Sequence, residues 1–152
     1  MSRFALIAIL ACCAACRAGD KPAETPTPPA PPPGPAPISL ADLAGEWTVR
    51  AMPEGSDSTV ITYTIRGSAD PSGWTITLPE RQPMAMTVAA SGDSVIADVA
   101  PFESALRKGV RVTTHAVMRL QDGKLIGTTV AHYSTAGPDS VTRLRTEGTR
   151  KP

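Results

Sequence analysis

RVTTHAVMRLQDGKLIGTTVAHY, residues 111–133, is the stretch that leaves this chain the fewest choices. Two alternating runs flank Asp122-Gly123, and Asp-Gly is a strong hairpin signal because both central positions of the turn need positive φ. A tight turn there sets the register. Gln121 faces Lys124, Leu120 faces Leu125, Ala116 faces Thr129 and Val112 faces Tyr133. Side chains alternate between the two faces of a strand, so the register also sorts them. Val112, Thr114, Ala116, Met118 and Leu120 share a face with Leu125, Gly127, Thr129, Ala131 and Tyr133. Arg111 and Arg119 fall on the other face and mark it as the solvent side. A slip of one residue would invert the whole set.

The same period of two recurs upstream. Ser39 caps a brief turn over Leu40 to Leu43, and Gly45-Glu46-Trp47 then opens a strand with Trp47, Val49 and Ala51 on one face. Ile61, Tyr63 and Ile65 stand opposite Thr62, Thr64 and Arg66. Trp74, Ile76 and Leu78 alternate with Thr75 and Thr77, and Met84, Met86 and Val88 continue the pattern. Ser91-Gly92 turns into a strand from Ser94 to Val99. Pro101 to Lys108 (PFESALRK) predicts the one helical turn after residue 45, and a last strand runs from about Val141 to Thr146. Seven or eight antiparallel strands joined by short turns predict an all-β meander. It closes as a small barrel, or else stays an open sheet or forms a sandwich.

The folded part must hold itself together by packing. All three cysteines, Cys12, Cys13 and Cys16, precede the first strand, so no disulfide staples the domain. Residues 38–152 are long enough to bury one core. Of fifteen Lys/Arg, Arg3, Arg17 and Lys21 precede residue 38, leaving twelve; of fourteen Asp/Glu, Asp20 and Glu24 precede it, also leaving twelve. That balance offers no broad basic surface to nucleic acid. The local cluster of Arg143, Arg145, Arg150 and Lys151 around Glu147 reads as a solvated terminal strand and tail rather than a polyanion site.

The first 37 residues read differently. Arg3 supplies a positive n-region, Phe4 to Leu10 are continuously apolar, and small residues and Cys follow; the run is shorter than the roughly 20 residues of a membrane span but suits a signal segment, residues 1–15. From Pro22 to Pro37 nine of sixteen residues are Pro, so residues 16–37 form a linker expected to be extended polyproline II. PxxP spacing occurs in it without the basic flank that peptide docking would use, which favours a spacer.

Ala14-Ala15-Cys16 resembles the cleavage site of bacterial lipoprotein signal peptides, in which a small residue precedes the cysteine that is lipidated. Cys13 stands where that pattern has an aliphatic residue, and Cys12, after Ile9-Leu10-Ala11, is a second candidate with a shorter apolar run. The resemblance implies a diacylglycerol thioether on Cys16 with a further acyl chain such as palmitate, which together anchor stably where one chain is marginal. Arg17 in place of the Asp that retains such proteins at the inner membrane implies the outer membrane, facing the periplasm. Cleavage by an ordinary signal peptidase, giving a freely diffusing periplasmic protein, is the alternative.

Gly45-x-Trp47, the succession of hairpins and a late Arg-bearing strand together resemble the lipocalin-like, or broader calycin, barrels. The resemblance implies that Trp47 packs across the barrel base beside a late arginine, with Arg143 or Arg145 as candidates. It also implies that Trp47, Tyr63, Trp74, Met86 and Tyr133 either line a pocket for a small apolar molecule or lipid, or simply fill the core.

Reactive constellations are sparse. His115 and His132 are diagonal neighbours on the outer face of the hairpin, without the three or four ligands that zinc takes. Ser134 and Ser140 lie in no Gly-x-Ser-x-Gly elbow. Asp93 with Asp98, or Glu80 with Glu103, have no fixed spacing as paired carboxylates. No phosphate-binding glycine loop follows a strand. The sequence therefore leads to no enzyme, no cofactor and no metal. It leaves two expectations: an envelope lipoprotein binding a small apolar molecule, or a structural or assembly partner of an envelope protein with a solid β core.

Overall fold

Asp122 and Gly123 both take positive φ, 51° and 75°, and the hairpin they close has the expected register: Gln121 pairs with Lys124, Leu120 with Leu125, Ala116 with Thr129 and Val112 with Tyr133. The structure, a computed structural model, describes Gly34 and residues 36–152. The expected signal segment, Cys12 and Cys16, and nearly all of the linker fall outside the described residues. Among the described residues eight strands follow one another: β1 (Gly45–Pro53), β2 (Ile61–Gly67), β3 (Thr75–Thr77), β4 (Met84–Ser91), β5 (Ser94–Glu103), β6 (Arg111–Gln121), β7 (Lys124–Tyr133) and β8 (Val141–Arg150). Each pairs antiparallel with the next, and β8 returns to β1 from Trp47↔Arg150 to Pro53↔Leu144. The chain is thus a closed eight-stranded meander barrel of the general lipocalin-like kind, not an open sheet or sandwich. Closure removes both sheet edges, the usual weakness of a β-domain.

Inward and outward residues sort as period two demands. Trp47, Val49, Ala51, Ile65, Val95, Ala97, Met118 and Leu125 are buried, while Arg50, Arg66, Arg119, Arg143 and Arg145 face water. Leu120 departs from the expected buried set: at the hairpin tip it is 39% exposed, because the barrel wall has ended and nothing packs over it.

PFESALRK is not helical. Pro101, Phe102 and Glu103 extend β5 beyond Val99, through a register shift between Val99 and Phe102 that brings Phe102 opposite Val112 and Glu103 opposite Arg111. Residues 104–109 then form a tight loop, closed by the Ser104 amide donating to the Val110 carbonyl at 2.7 Å. Pairing with a long neighbouring strand overrides a weak local helix preference. Trp74 likewise lies just outside β3, which is only three residues long.

One end of the barrel is plugged. Ser39 and Asp42 form a reciprocal capping box on the short 3₁₀ turn Leu40–Leu43, which lays Leu40 and Leu43 against Trp47 in the core. The Trp47 indole N–H donates to the Leu43 carbonyl at 2.9 Å. That carbonyl crosses β2 at Gly67, where a Cβ would collide with it. Trp74 fills the remaining space, its indole N–H donating to the Ser68 carbonyl at 2.7 Å. Both tryptophans are fully buried, so truncating either to Ala should cost about 3–5 kcal/mol. The late arginine over the base is Arg150, not Arg143 or Arg145. Its guanidinium covers the Trp47 ring and donates to the carbonyls of Asp42 and Ala44. Arg145 instead reaches Asp57 at 2.6 Å, and β8 runs four residues further than the sequence pattern suggests.

Candidate functional site: the open end of the barrel

The other end of the barrel is built from the far ends of the same strands, and it is not filled. A cavity of about 70 Å³ lies in the interior beneath the loop 104–109. Its wall carries Tyr63, Ile65, Met86, Met118, Thr129 and Tyr133, and Ala105 and Leu106 of the loop form its roof. Among the described residues no Asp, Glu, Lys, Arg or His lines it. Five of its lining residues carry hydroxyls: Tyr63, Ser104, Thr114, Thr129 and Tyr133.

The loop is held from three sides. Ser104, itself buried, accepts the amides of Leu106 and Arg107 on its Oγ, each at 3.0 Å. Arg81, from the β3–β4 connection, donates to the carbonyls of Glu103 and Ser104. Arg107 reaches the opposite rim, donating to the Asp139 carbonyl at 2.6 Å, with its guanidinium 3.9 Å from the centroid of Tyr133. Leu106, at the crest, remains 41% exposed.

The wall is thinnest beside this loop. β2 meets β3 through only Thr64↔Thr77, Ile65↔Ile76 and Arg66↔Thr75, and β3 meets β4 through Thr75↔Ala85 and Ile76↔Met84. A surface groove lined by Val60, Ile61, Pro79, Arg81 and Leu106 runs along that seam. Loop and seam together are the part of the barrel wall with the fewest ladder bonds to break.

The five residues singled out by the sequence divide by position. Tyr63, Met86 and Tyr133 line the cavity, while Trp47 and Trp74 belong to the plug at the other end. Thr129 is the lining residue whose chemistry the sequence pattern hid. Parity places it inward, and nothing in the pattern marks its hydroxyl for a role. Among the described residues its Oγ1 has no hydrogen-bond partner, and neither has that of Thr146. The Tyr63 phenol comes close to Thr129. Burial pushes its pKa up to about 12, and the neighbouring Thr129 hydroxyl works in the opposite direction. Tyr63 is therefore a neutral hydroxyl across the ordinary pH range.

On the outer face, β5 sets Asp98 opposite His115, and His115 Nδ1 lies 2.7 Å from Asp98 Oδ1. The hairpin pattern sets His115 beside His132 and does not reveal this carboxylate, whose strand lies on the other side of β6. Both members are about half exposed, as in an ordinary surface pair. Among the described residues no three His, Cys, Asp or Glu side chains converge on one point. Compared with known proteins, the chain matches no family model, no curated protein and no solved structure.

Proposed function

We propose that this chain is an exported lipoprotein, anchored through Cys16 at the periplasmic face of the outer membrane, whose barrel binds a small apolar molecule through its open end without transforming it. The observation that carries the binding part is the uncharged cavity beneath a loop fastened by side chains rather than by ladder. Apolar pockets with a few placed polar groups are the usual form of small-molecule sites. At about 70 Å³ the resting cavity is roughly half the size of an engineered cavity that admits benzene. A ligand seats one end in it and displaces Leu106 to seat the rest. The anchor and destination rest on the Ala14-Ala15-Cys16 pattern and on Arg17.

The small volume also favours a second reading. A nearly solid barrel with Val60 at 42% and Leu106 at 41% exposure along one groove could seat against another envelope protein.

Native mass spectrometry of the whole chain, extracted gently from its own envelope, separates the two. A stoichiometric small adduct is the expected result. A second polypeptide with no adduct would overturn the carrier reading in favour of assembly. The same spectrum gives the mass of the N-terminus. Loss of the acyl mass in Cys16→Ser, with retention in Cys12→Ser, is expected for an anchor at Cys16.

A further inference from the structure

The interior of the barrel is not uniformly apolar, and its polar spot has a definite chemistry. Thr129 is 8% exposed, lines the cavity and finds no hydrogen-bond partner for its Oγ1 among the described residues. The phenol of Tyr63, on β2, shares the same lining and stands beside it. A hydroxyl left unpaired in an apolar interior costs free energy. Here two hydroxyls share one cavity, and each both donates and accepts.

We infer that the cavity selects a neutral apolar ligand bearing one carbonyl or hydroxyl, whose oxygen seats between Tyr63 and Thr129. This rests on the carrier reading given above and narrows its ligand class. A bare hydrocarbon leaves the Thr129 hydroxyl without a ligand partner. A carboxylate would bring a charge into a lining that holds no cation, where desolvation opposes it. The two groups nearest the oxygen are protonated hydroxyls, so they can donate to a carbonyl without any change of ionisation.

The test uses the full chain as isolated, in lipid nanodiscs, with 2-hexanone, n-hexane and hexanoate as probes. Equilibration through the vapour fixes the activity of the two volatile probes whatever partitions into lipid, and hexanoate is titrated at pH 7. Binding is read from the methyl resonances of Met86 and Met118, which line the cavity. Thr129→Val is expected to weaken 2-hexanone about fivefold, the worth of one ordinary hydrogen bond, and to leave n-hexane unchanged. Thr129→Ser is expected to restore the ketone. Equal response of ketone and hydrocarbon to Thr129→Val overturns the inference while leaving the carrier reading in place. So does hexanoate binding as tightly as the ketone. If neither volatile probe binds the unaltered chain, the carrier reading falls and the inference with it.

Discussion

The guanidinium of Arg150 lies over the indole of Trp47, its central carbon 4.4 Å from the ring centroid. The contact joins the last residue of β8 to the third residue of β1, so it fastens the seam where the barrel closes. The same guanidinium donates to the Asp42 carbonyl at 2.6 Å and to that of Ala44, holding the 3₁₀ turn over the base. Arg150→Ala should cost about 2 kcal/mol, from a cation–π contact and charge-assisted hydrogen bonds at a partly solvated site. Lys keeps the charge but not the planar fork, so Arg150→Lys should recover less than half of the loss. Urea denaturation of the three proteins checks the ordering.

Gly67 is where the base would fail most abruptly. The Leu43 carbonyl that receives the Trp47 N–H passes over it, and the Trp74 ring would lie 3.3 Å from an added Cβ. Gly67→Ala therefore forces the plug outward and should cost about 1–3 kcal/mol, as overpacking does. The readout is the melting temperature together with Trp fluorescence, since both indoles sit in the displaced region.

Much of this barrel was legible because period two and one turn sufficed. Asp122-Gly123 needed no tertiary information to set ten residue pairs, and the arginines chose the outer face. What failed to show was whatever depends on a partner distant in sequence. PFESALRK contains good helix formers, and only the presence of Val112 and Arg111 across the ladder makes Phe102 and Glu103 strand. Glu147-Gly148-Thr149-Arg150 reads as a tail, since Gly is poor in strands. Yet Gly148 belongs in β8, because a Cβ there would press within 3.2 Å of Leu125 and Val49. The candidate site suffered in the same way. Parity put Tyr63 and Thr129 inside, but their meeting across the barrel depends on its closure and diameter.

Acid should loosen the outer seam through Glu147. The hydrogen bond from Lys124 at 3.0 Å holds its carboxyl below the ordinary value of 4.5, with the charges of Lys124, Arg50 and Arg145 assisting. A carboxyl lowered in the folded state stabilises fully above its unfolded pKa and loses that contribution as pH falls through the folded one. The gap in unfolding free energy between the unaltered protein and Glu147→Gln should thus be widest at neutral pH. It should shrink from about pH 4.5 downward, which chemical denaturation at a series of pH values measures. A gap constant across that range would remove Glu147 from the acid response.

The loop over the open end should respond to Ser104. Its Oγ accepts two amides at once, from Leu106 and Arg107, and removing it leaves both to water or to nothing. Ser104→Ala should lower global stability by only about 1 kcal/mol but accelerate hydrogen exchange at these two amides by at least tenfold, through local opening. Exchange in the β6–β7 hairpin should not change. If the hairpin accelerates equally, the loop does not open as a separate unit, and access to the cavity must follow another route.

Thr146 isolates the energetic part of the polar interior from the ligand question. It is 1% exposed, its Oγ1 has no partner among the described residues, and unlike Thr129 it does not line the cavity. Val has nearly the same shape and no hydroxyl, so Thr146→Val removes a buried unpaired group without opening space. Stability should rise by about 1 kcal/mol, and ligand preference should not move. The same exchange at Thr129 should also raise the stability of the ligand-free protein, while weakening a ketone ligand. Comparing the two variants by denaturation, with and without 2-hexanone, therefore separates a hydroxyl that only costs stability from one that also binds. A loss of stability in Thr146→Val would mean that its hydroxyl is satisfied in solution, by a buried water bridging to a neighbouring strand.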